Sequence, residues 1–289
     1  MLSLLAASGA VADPIYWSEL GMRNYLFEIG GFKLRFYSLA YLIGIIFAYW
    51  HLTKMLKAPG APMAQRHADD LFFYCTLGVI LGGRLGYSIF YQPGLWENPL
   101  DVLKLWEGGM SFHGGVIGVL LAITWVSWRG KLNWLRICDY IAVTYPLGHF
   151  LGRLANFNNG ELWGRPTDVA WAMIFPGGGE VARHPSQLYQ AGLEGLLPLI
   201  VLMLLFWKTR ARYRPGLLVG VFTIMMGAAR FINEFFREPD AQLADFAART
   251  GLSMGQWLTI PLILIGLIVT LYAVTRKPVG TGQAAAAAA

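Results

Sequence analysis

Seven runs of mostly apolar residues, separated by short polar stretches, constrain this chain more than any other feature. They are approximately Tyr37–Leu52, Leu71–Tyr91, Phe112–Trp128, Ile137–Leu151, Leu188–Trp207, Leu217–Phe236 and Trp257–Val274. A bilayer core takes about 20 such residues per helical crossing. A helix suits it because every backbone group within it is paired without water. The runs are too long and too uniformly apolar for the alternating segments of about ten residues that build membrane barrels. Only 14% of the residues are charged, against about 25% in soluble domains. A polytopic helical membrane protein is expected. The first and fourth runs are short for a crossing, so either flanking residues extend them or they border a thinned, water-containing region.

Lysine and arginine set the orientation. Lys54, Lys57 and Arg66 follow the first run, and Arg129, Lys131 and Arg136 follow the third. Lys208, Arg210, Arg212 and Arg214 follow the fifth, and Arg276 and Lys277 close the last. Seven crossings place all four groups on one side, the cytoplasm. The segments Gln92–Ser111, Asn156–Gln187 and Arg237–Gly255 then face outward with the N-terminus. The net charge of +6 is thus largely topological and argues for no nucleic-acid partner. Met1–Ala12 lacks the basic start of a cleaved signal and reads as an interfacial segment. Ala284–Ala289 reads as a disordered tail. Cys75 and Cys138 lie in apolar runs and read as small buried hydrophobes, so any thiol chemistry would use a substrate thiol.

Small residues recur four apart: Ala40, Gly44, Ala48; Gly78, Gly82, Gly86; Gly114, Gly118, Ala122; Gly148, Gly152. That spacing lets helix backbones approach closely in lipid. No internal repeat of the transporter kind is visible.

The polar residues within this setting need a reason, since a charge near the bilayer centre costs about 2.5–3.5 kcal/mol on insertion scales. Arg84 lies in Gly82-Gly83-Arg84-Leu85-Gly86, where it is either a ligand or a structural helix-to-helix clamp. Arg230, Glu234 and Arg237 share one helical face by their spacing. Glu234 could serve only to neutralise Arg230, and Arg237 could snorkel to the interface. His113 opens the third run. The densest polar stretch, Gly152 to Arg165, holds Arg153, Asn156, Asn158, Asn159, Gly160 and Glu161. Guanidinium forks match phosphate oxygens, and the amides suit glycerol hydroxyls or a self-bonded loop. In Arg183-His184-Pro185-Ser186-Gln187-Leu188-Tyr189, Pro185 favours a first helical turn, and Ser186 and Gln187 are expected to cap it. The histidines have no metal-ligand spacing, and neither a phosphate-binding loop nor a nucleophile elbow occurs. No metal or cofactor is expected.

The Gly152–Arg165 stretch resembles the signature of prolipoprotein diacylglyceryl transferases. The resemblance continues in order through Tyr37, Gly82–Tyr87, Glu107–Gly115, Arg183–Tyr189, Arg230–Asp240 and Ser253–Gln256. It implies an all-α polytopic fold with about seven transmembrane helices, a small extracytoplasmic head segment, and a site facing the outer leaflet of a bacterial inner membrane. The chain would divide into an N-terminal interfacial segment (1–36), helices one to four (37–152), the head (153–187), helices five to seven (188–275) and a cytoplasmic tail (276–289). Phosphatidylglycerol would be the donor and the lipobox cysteine of a preprolipoprotein the acceptor. The family's histidine falls on His113, its signature residues on Arg153, Asn156 and Glu161, its sixth-helix arginine on Arg230 and its first-helix tyrosine on Tyr37. Two departures stand out: Met226 replaces a tyrosine some relatives carry, and Gln190 replaces a glutamate.

The implied chemistry makes His113, Arg153 and Arg230 the candidate catalytic residues. Arg153, Asn156, Glu161, Arg230, Tyr37 and Arg84 would bind phosphatidylglycerol, supported by Asn159, Gly160, Glu234 and Arg237. A transporter, or another phospholipid-dependent transferase, would use the same intramembrane charges.

Overall fold

The structure, a computed structural model, describes residues 15–23, 25–30, 32–97, 99–105, 108–238 and 249–280. The readings of Met1–Ala12, Glu107, Ala284–Ala289 and positions 239–248 lie outside the described residues.

The chain is mostly helical. Its long helices are α1 (Phe36–Leu56), α2 (Gln65–Phe90), α3 (Phe112–Arg129), α4 (Trp134–Asn158), α5 (Ser186–Lys208), α6 (Leu217–Asn233) and α7 (Met254–Thr275). Five of them, α1, α2, α3, α5 and α7, are long and apolar enough to cross a membrane. They also leave large apolar side chains exposed, such as Leu121, Ile200 and Ile268, as a lipid-facing surface requires. Each expected run lies within or across one helix. The first gains residues at both ends to reach 21, and the fourth reaches 25. The fourth run looked short because Arg136, Arg153 and Asn156 interrupt its apolar pattern without interrupting the helix.

Among the described residues four short strands accompany these helices, three of them before α1. β1 (Ile15–Tyr16) pairs in parallel with β4 (Met173–Ile174), and β2 (Tyr25–Ile29) forms an antiparallel hairpin with β3 (Phe32–Arg35).

Two compact units are distinguished. The first comprises Met1–Ile46, Tyr145–Val201 and Phe222–Leu267, and the second Phe47–Thr144, Leu202–Val221 and Ile268–Ala289.

In the first unit, Trp17, Phe157 and Phe175 form a buried cluster, joined by Met22, Trp163, Met173 and Leu188. The Trp17 indole donates to the Phe157 carbonyl at 2.8 Å, which fixes the entry of the chain to the end of α4. Arg183 donates to the carbonyls of Gly178 and Gly164 and pairs with Glu238 at 2.9 Å. Glycines set the helix approaches. A Cβ on Gly44 would lie 2.8 Å from Gly148 Cα, and one on Gly195 would lie 2.6 Å from Phe150 Cα. So α4 meets α1 at one pair of positions and α5 at another.

In the second unit, α2 and α3 pack along the expected small-residue stripe. A Cβ on Gly78 would lie 2.5 Å from the Gly118 carbonyl oxygen, and Gly82 and Gly114 face each other equally closely. The buried carboxylate of Asp139 accepts from the amides of Gly216 and Val219 at 2.8 Å. It thereby satisfies donors that the start of α6 would otherwise leave unpaired.

Candidate active site

The first unit holds most of the polar residues singled out in the sequence. Tyr145, His149 and Arg153 are four apart on α4 and share one face. Arg230 and Asn233 on α6, with Glu234 and Arg237 in the turn that follows, line another. The Arg230 guanidinium lies 2.6 Å from a Glu234 oxygen, and Arg237 lies 3.4 Å from the same oxygen. The second Glu234 oxygen accepts from the Ser253 hydroxyl at 2.9 Å. A Cβ on Gly255 would lie 2.5 Å from the Glu234 carboxyl carbon, so the start of α7 presses directly on this carboxylate. Glu234 is therefore a shared anchor for two arginines.

Arg153 differs. Among the described residues no hydrogen bond or ion pair engages its guanidinium, yet it is near enough to act electrostatically on Arg230, Tyr37 and Glu194. Two arginines from α4 and α6 are thus brought into one electrostatic neighbourhood, one of them anchored and one open.

The signature loop after α4 is wound tightly. Gly160 and Leu162 both adopt the left-handed conformation, at φ +65° and +58°. Glycine does so without penalty, whereas Leu162 is strained there. Between them Glu161 turns back, and one of its oxygens accepts from Asn156 at 2.8 Å and from Asn159 at 3.1 Å. The start of α5 completes the brace. Gln187 donates to the Glu161 carbonyl at 2.7 Å and Ser186 to the Leu162 carbonyl at 3.1 Å. Neither side chain caps its own helix, as the sequence had led us to expect. Both reach back to the loop, because Pro185 sends α5 away beside it. Tyr37 lies at the start of α1, its hydroxyl 3.4 Å from that of Tyr41, within electrostatic reach of Glu161 and Arg153.

His184, just before α5, packs against Phe236 and Tyr189 and lies 3.1 Å from the Tyr189 hydroxyl. Burial there lowers its pKa from the usual 6.5.

Sequence reasoning overlooked one set. Glu194, in the middle of α5 and 2% exposed, lies 3.0 Å from His149 Nε2 and accepts from Asn233 Nδ2 at 2.9 Å. The Tyr145 hydroxyl lies 3.0 Å from His149 Nδ1. The signal was present, since a carboxylate inside an apolar run is costly.

Two candidates belong to the second unit. Arg84 is 4% exposed and donates to the carbonyls of Val102 at 2.7 Å, Asp101 at 2.9 Å, Gly109 at 3.3 Å and also Gly108. Its guanidinium thus bonds to the backbone of the loop before α3. His113 is exposed in the first turn of α3, edge-on to Phe112 at 5.7 Å. Ser111 caps that helix, accepting from the Gly114 amide at 3.2 Å. Among the described residues the His113 ring nitrogens form no hydrogen bond.

Comparison with known proteins places this arrangement. Residues 24–272 match a family model described as prolipoprotein diacylglyceryl transferase. The chain is 70% identical over 280 residues to the phosphatidylglycerol–prolipoprotein diacylglyceryl transferase of Erythrobacter litoralis, covering 96% of this chain and 99% of that one. It is 52% identical over 262 residues to the protein of that name from Zymomonas mobilis, covering 88% and 91%. The protein of that name from Photobacterium profundum is 46% identical over 254 residues, covering 88% and 94%.

Proposed function

The chain belongs to the prolipoprotein diacylglyceryl transferase family, and from that premise we propose that it moves the diacylglyceryl group of phosphatidylglycerol onto the lipobox cysteine of a preprolipoprotein. The thiol sulfur attacks the glyceryl carbon. A carbon–sulfur bond forms as the carbon–oxygen bond to phosphate breaks. The thiol proton passes to a base and glycerol phosphate leaves, so the product is a thioether.

The observation that carries this reading is the open guanidinium of Arg153 beside the anchored one of Arg230. A lone pair of arginines repels. A phosphodiester between them removes the repulsion and gains charge-assisted hydrogen bonds. Those bonds strengthen as the leaving phosphate takes on charge, which is where stabilisation accelerates a reaction. Glu161, fixed by Asn156 and Asn159 over the left-handed turn at Gly160, and Tyr37 orient the glycerol head group. Glu234, itself paired with Arg237, holds Arg230 in place. His113 is the proposed base, because an imidazole nitrogen can take up a proton, and its ring nitrogens, open among the described residues, support this. A cysteine thiol is only a few per cent ionised at pH 7, so a base is needed.

The proposal includes seven crossings of the bacterial inner membrane, with positions 153–187 forming a head on the outer side. The supporting features are the lysine and arginine asymmetry and the helix lengths.

The test uses purified full-length chain, phosphatidylglycerol vesicles and a lipobox peptide. Mass spectrometry is expected to find the peptide heavier by one diacylglyceryl group in thioether linkage, with glycerol phosphate released. Flux across the vesicles without a covalent product would instead identify a transporter. His113→Asn is expected to lower turnover by about 10²–10⁴-fold, the usual worth of a general base, and to remove the acid limb of the pH–rate profile. A profile unchanged in shape would discard His113 as the base.

A further inference from the structure

The buried set around Glu194 has no part in the chemistry above, yet it lies against both arginine-bearing faces. Its placement follows from local structure. Residues Ala191–Leu196 form a turn of π-helix within α5, a feature frequent at functional sites. Gly195 lets this turn press on the α4 backbone at Phe150, with 2.6 Å left for any Cβ. Glu194 is thereby delivered between α4 and α6. One carboxylate oxygen faces His149 at 3.0 Å, one turn before Arg153 on the same face of α4. The other accepts from Asn233 at 2.9 Å, next to Glu234 and three residues after Arg230. Both arginines lie within its electrostatic reach. Asn233 is fully buried, and so nearly is Gln190, and among the described residues the side-chain amide oxygens of both have no hydrogen-bond partner. Polar groups left open in a buried site are rarely accidental.

We propose that Glu194 is a positioning residue for lipid transfer: bridging His149 and Asn233, it fixes the α4 and α6 faces that carry Arg153 and Arg230, and its charge holds the two guanidiniums together before phosphate arrives. The inference rests on the proposed transfer reaction. The other charged or titratable groups facing this set are Tyr145 and Arg153 of α4, Arg230, Glu234 and Arg237 of α6 and its end, and Tyr37 and Tyr41 of α1. Within it Glu194 is the carboxylate that bonds to both α4 and α6.

The test compares full-length Glu194→Gln, His149→Ala and His149→Gln with the unaltered chain. Each is assayed for kcat, for KM toward phosphatidylglycerol, and for thermal unfolding in detergent. Glu194→Gln keeps the shape and loses the charge. Its kcat is expected to fall about tenfold to a hundredfold, the scale of a misplacement of about 1 Å, with KM unchanged or lower, since removing a negative charge does not weaken phosphate capture. His149→Ala should lower kcat similarly, and His149→Gln should recover most of the loss, because its amide can donate the same bond to Glu194. A Glu194→Gln protein that is folded and keeps its kcat overturns the inference, and so does a failure of His149→Gln to outperform His149→Ala. If Glu194→Gln does not fold, Glu194→Asp replaces it, and an unchanged kcat there overturns the inference equally. Absence of transfer by the unaltered chain would instead refute the transferase reading itself.

Discussion

Arg153→Ala should abolish diacylglyceryl transfer while leaving the fold intact. Both halves of that result follow from one observation. Among the described residues the Arg153 guanidinium has no hydrogen bond or ion pair, so the folded protein loses little when it is removed. Under the proposed clamp, the transition state loses a fork that would bond to the departing phosphate. Removing one preorganised donor to a developing anion costs about 10²–10³-fold in kcat, and a charged fork should cost at least that much. Arg153→Lys keeps the charge without the bidentate geometry and should recover only part of the loss. Arg230→Ala should be as inactive, but less stable. Among the described residues it leaves the Glu234 carboxylate, 6% exposed, with the longer contact to Arg237 and the Ser253 hydroxyl. Turnover and thermal unfolding measured on the same preparations would separate the two arginines. Near-normal turnover in either variant would eliminate the phosphate clamp.

Gly118→Ala and Gly114→Ala should be the most damaging substitutions outside the site. The added methyl would fall on the carbonyls of Gly78 and Gly82 respectively. These are backbone atoms within α2, so no side chain can swing aside and the helices must separate. Overpacking a fitted contact costs about 1–3 kcal/mol, and a backbone collision belongs at the upper end. Gly115→Ala is the matched control in the same helix, because its methyl would meet nothing closer than 3.7 Å. Alanine also suits a helix better than glycine by about 1 kcal/mol. The control should unfold at or above the temperature of the unaltered chain, and the other two well below it. Equal unfolding temperatures for all three would mean that α2 and α3 do not pack along this stripe.

Much of this architecture was legible in the sequence because apolar run length and small-residue spacing act locally. Each of the seven runs marks a helix, and the Gly78–Gly82 and Gly114–Gly118 series mark where two of them touch. What stayed hidden depends on distant partners. Nothing near Ile15 announces its pairing with Met173, which lies far along the chain. Arg84 was conspicuous as a charge, but four backbone carbonyls of a later loop decide its occupation. Ser186 and Gln187 look like caps because they follow a proline, but their side chains are buried against the signature loop, whose carbonyls they meet. Arg153, Asn156, Glu161 and Arg230 were recognisable because polar groups in an apolar setting are costly. Glu194 was equally costly and equally visible, but its meaning lay in His149 and Asn233, and no residue spacing connects those three.

The π-turn in α5 makes the length of this chain as consequential as its composition. Such a turn carries an extra residue, so everything beyond it is rotated by about 100° relative to an uninterrupted helix. The chain before it is tied to the signature loop through Ser186 and Gln187, and the end of the turn itself is seated against α4 through Gly195. Deleting one residue between Ala191 and Leu196 would restore regular winding but set these two attachments at odds. Conservative replacements at Ala191, Leu193 or Leu196 should therefore be tolerated far better than any change in the number of residues in the turn.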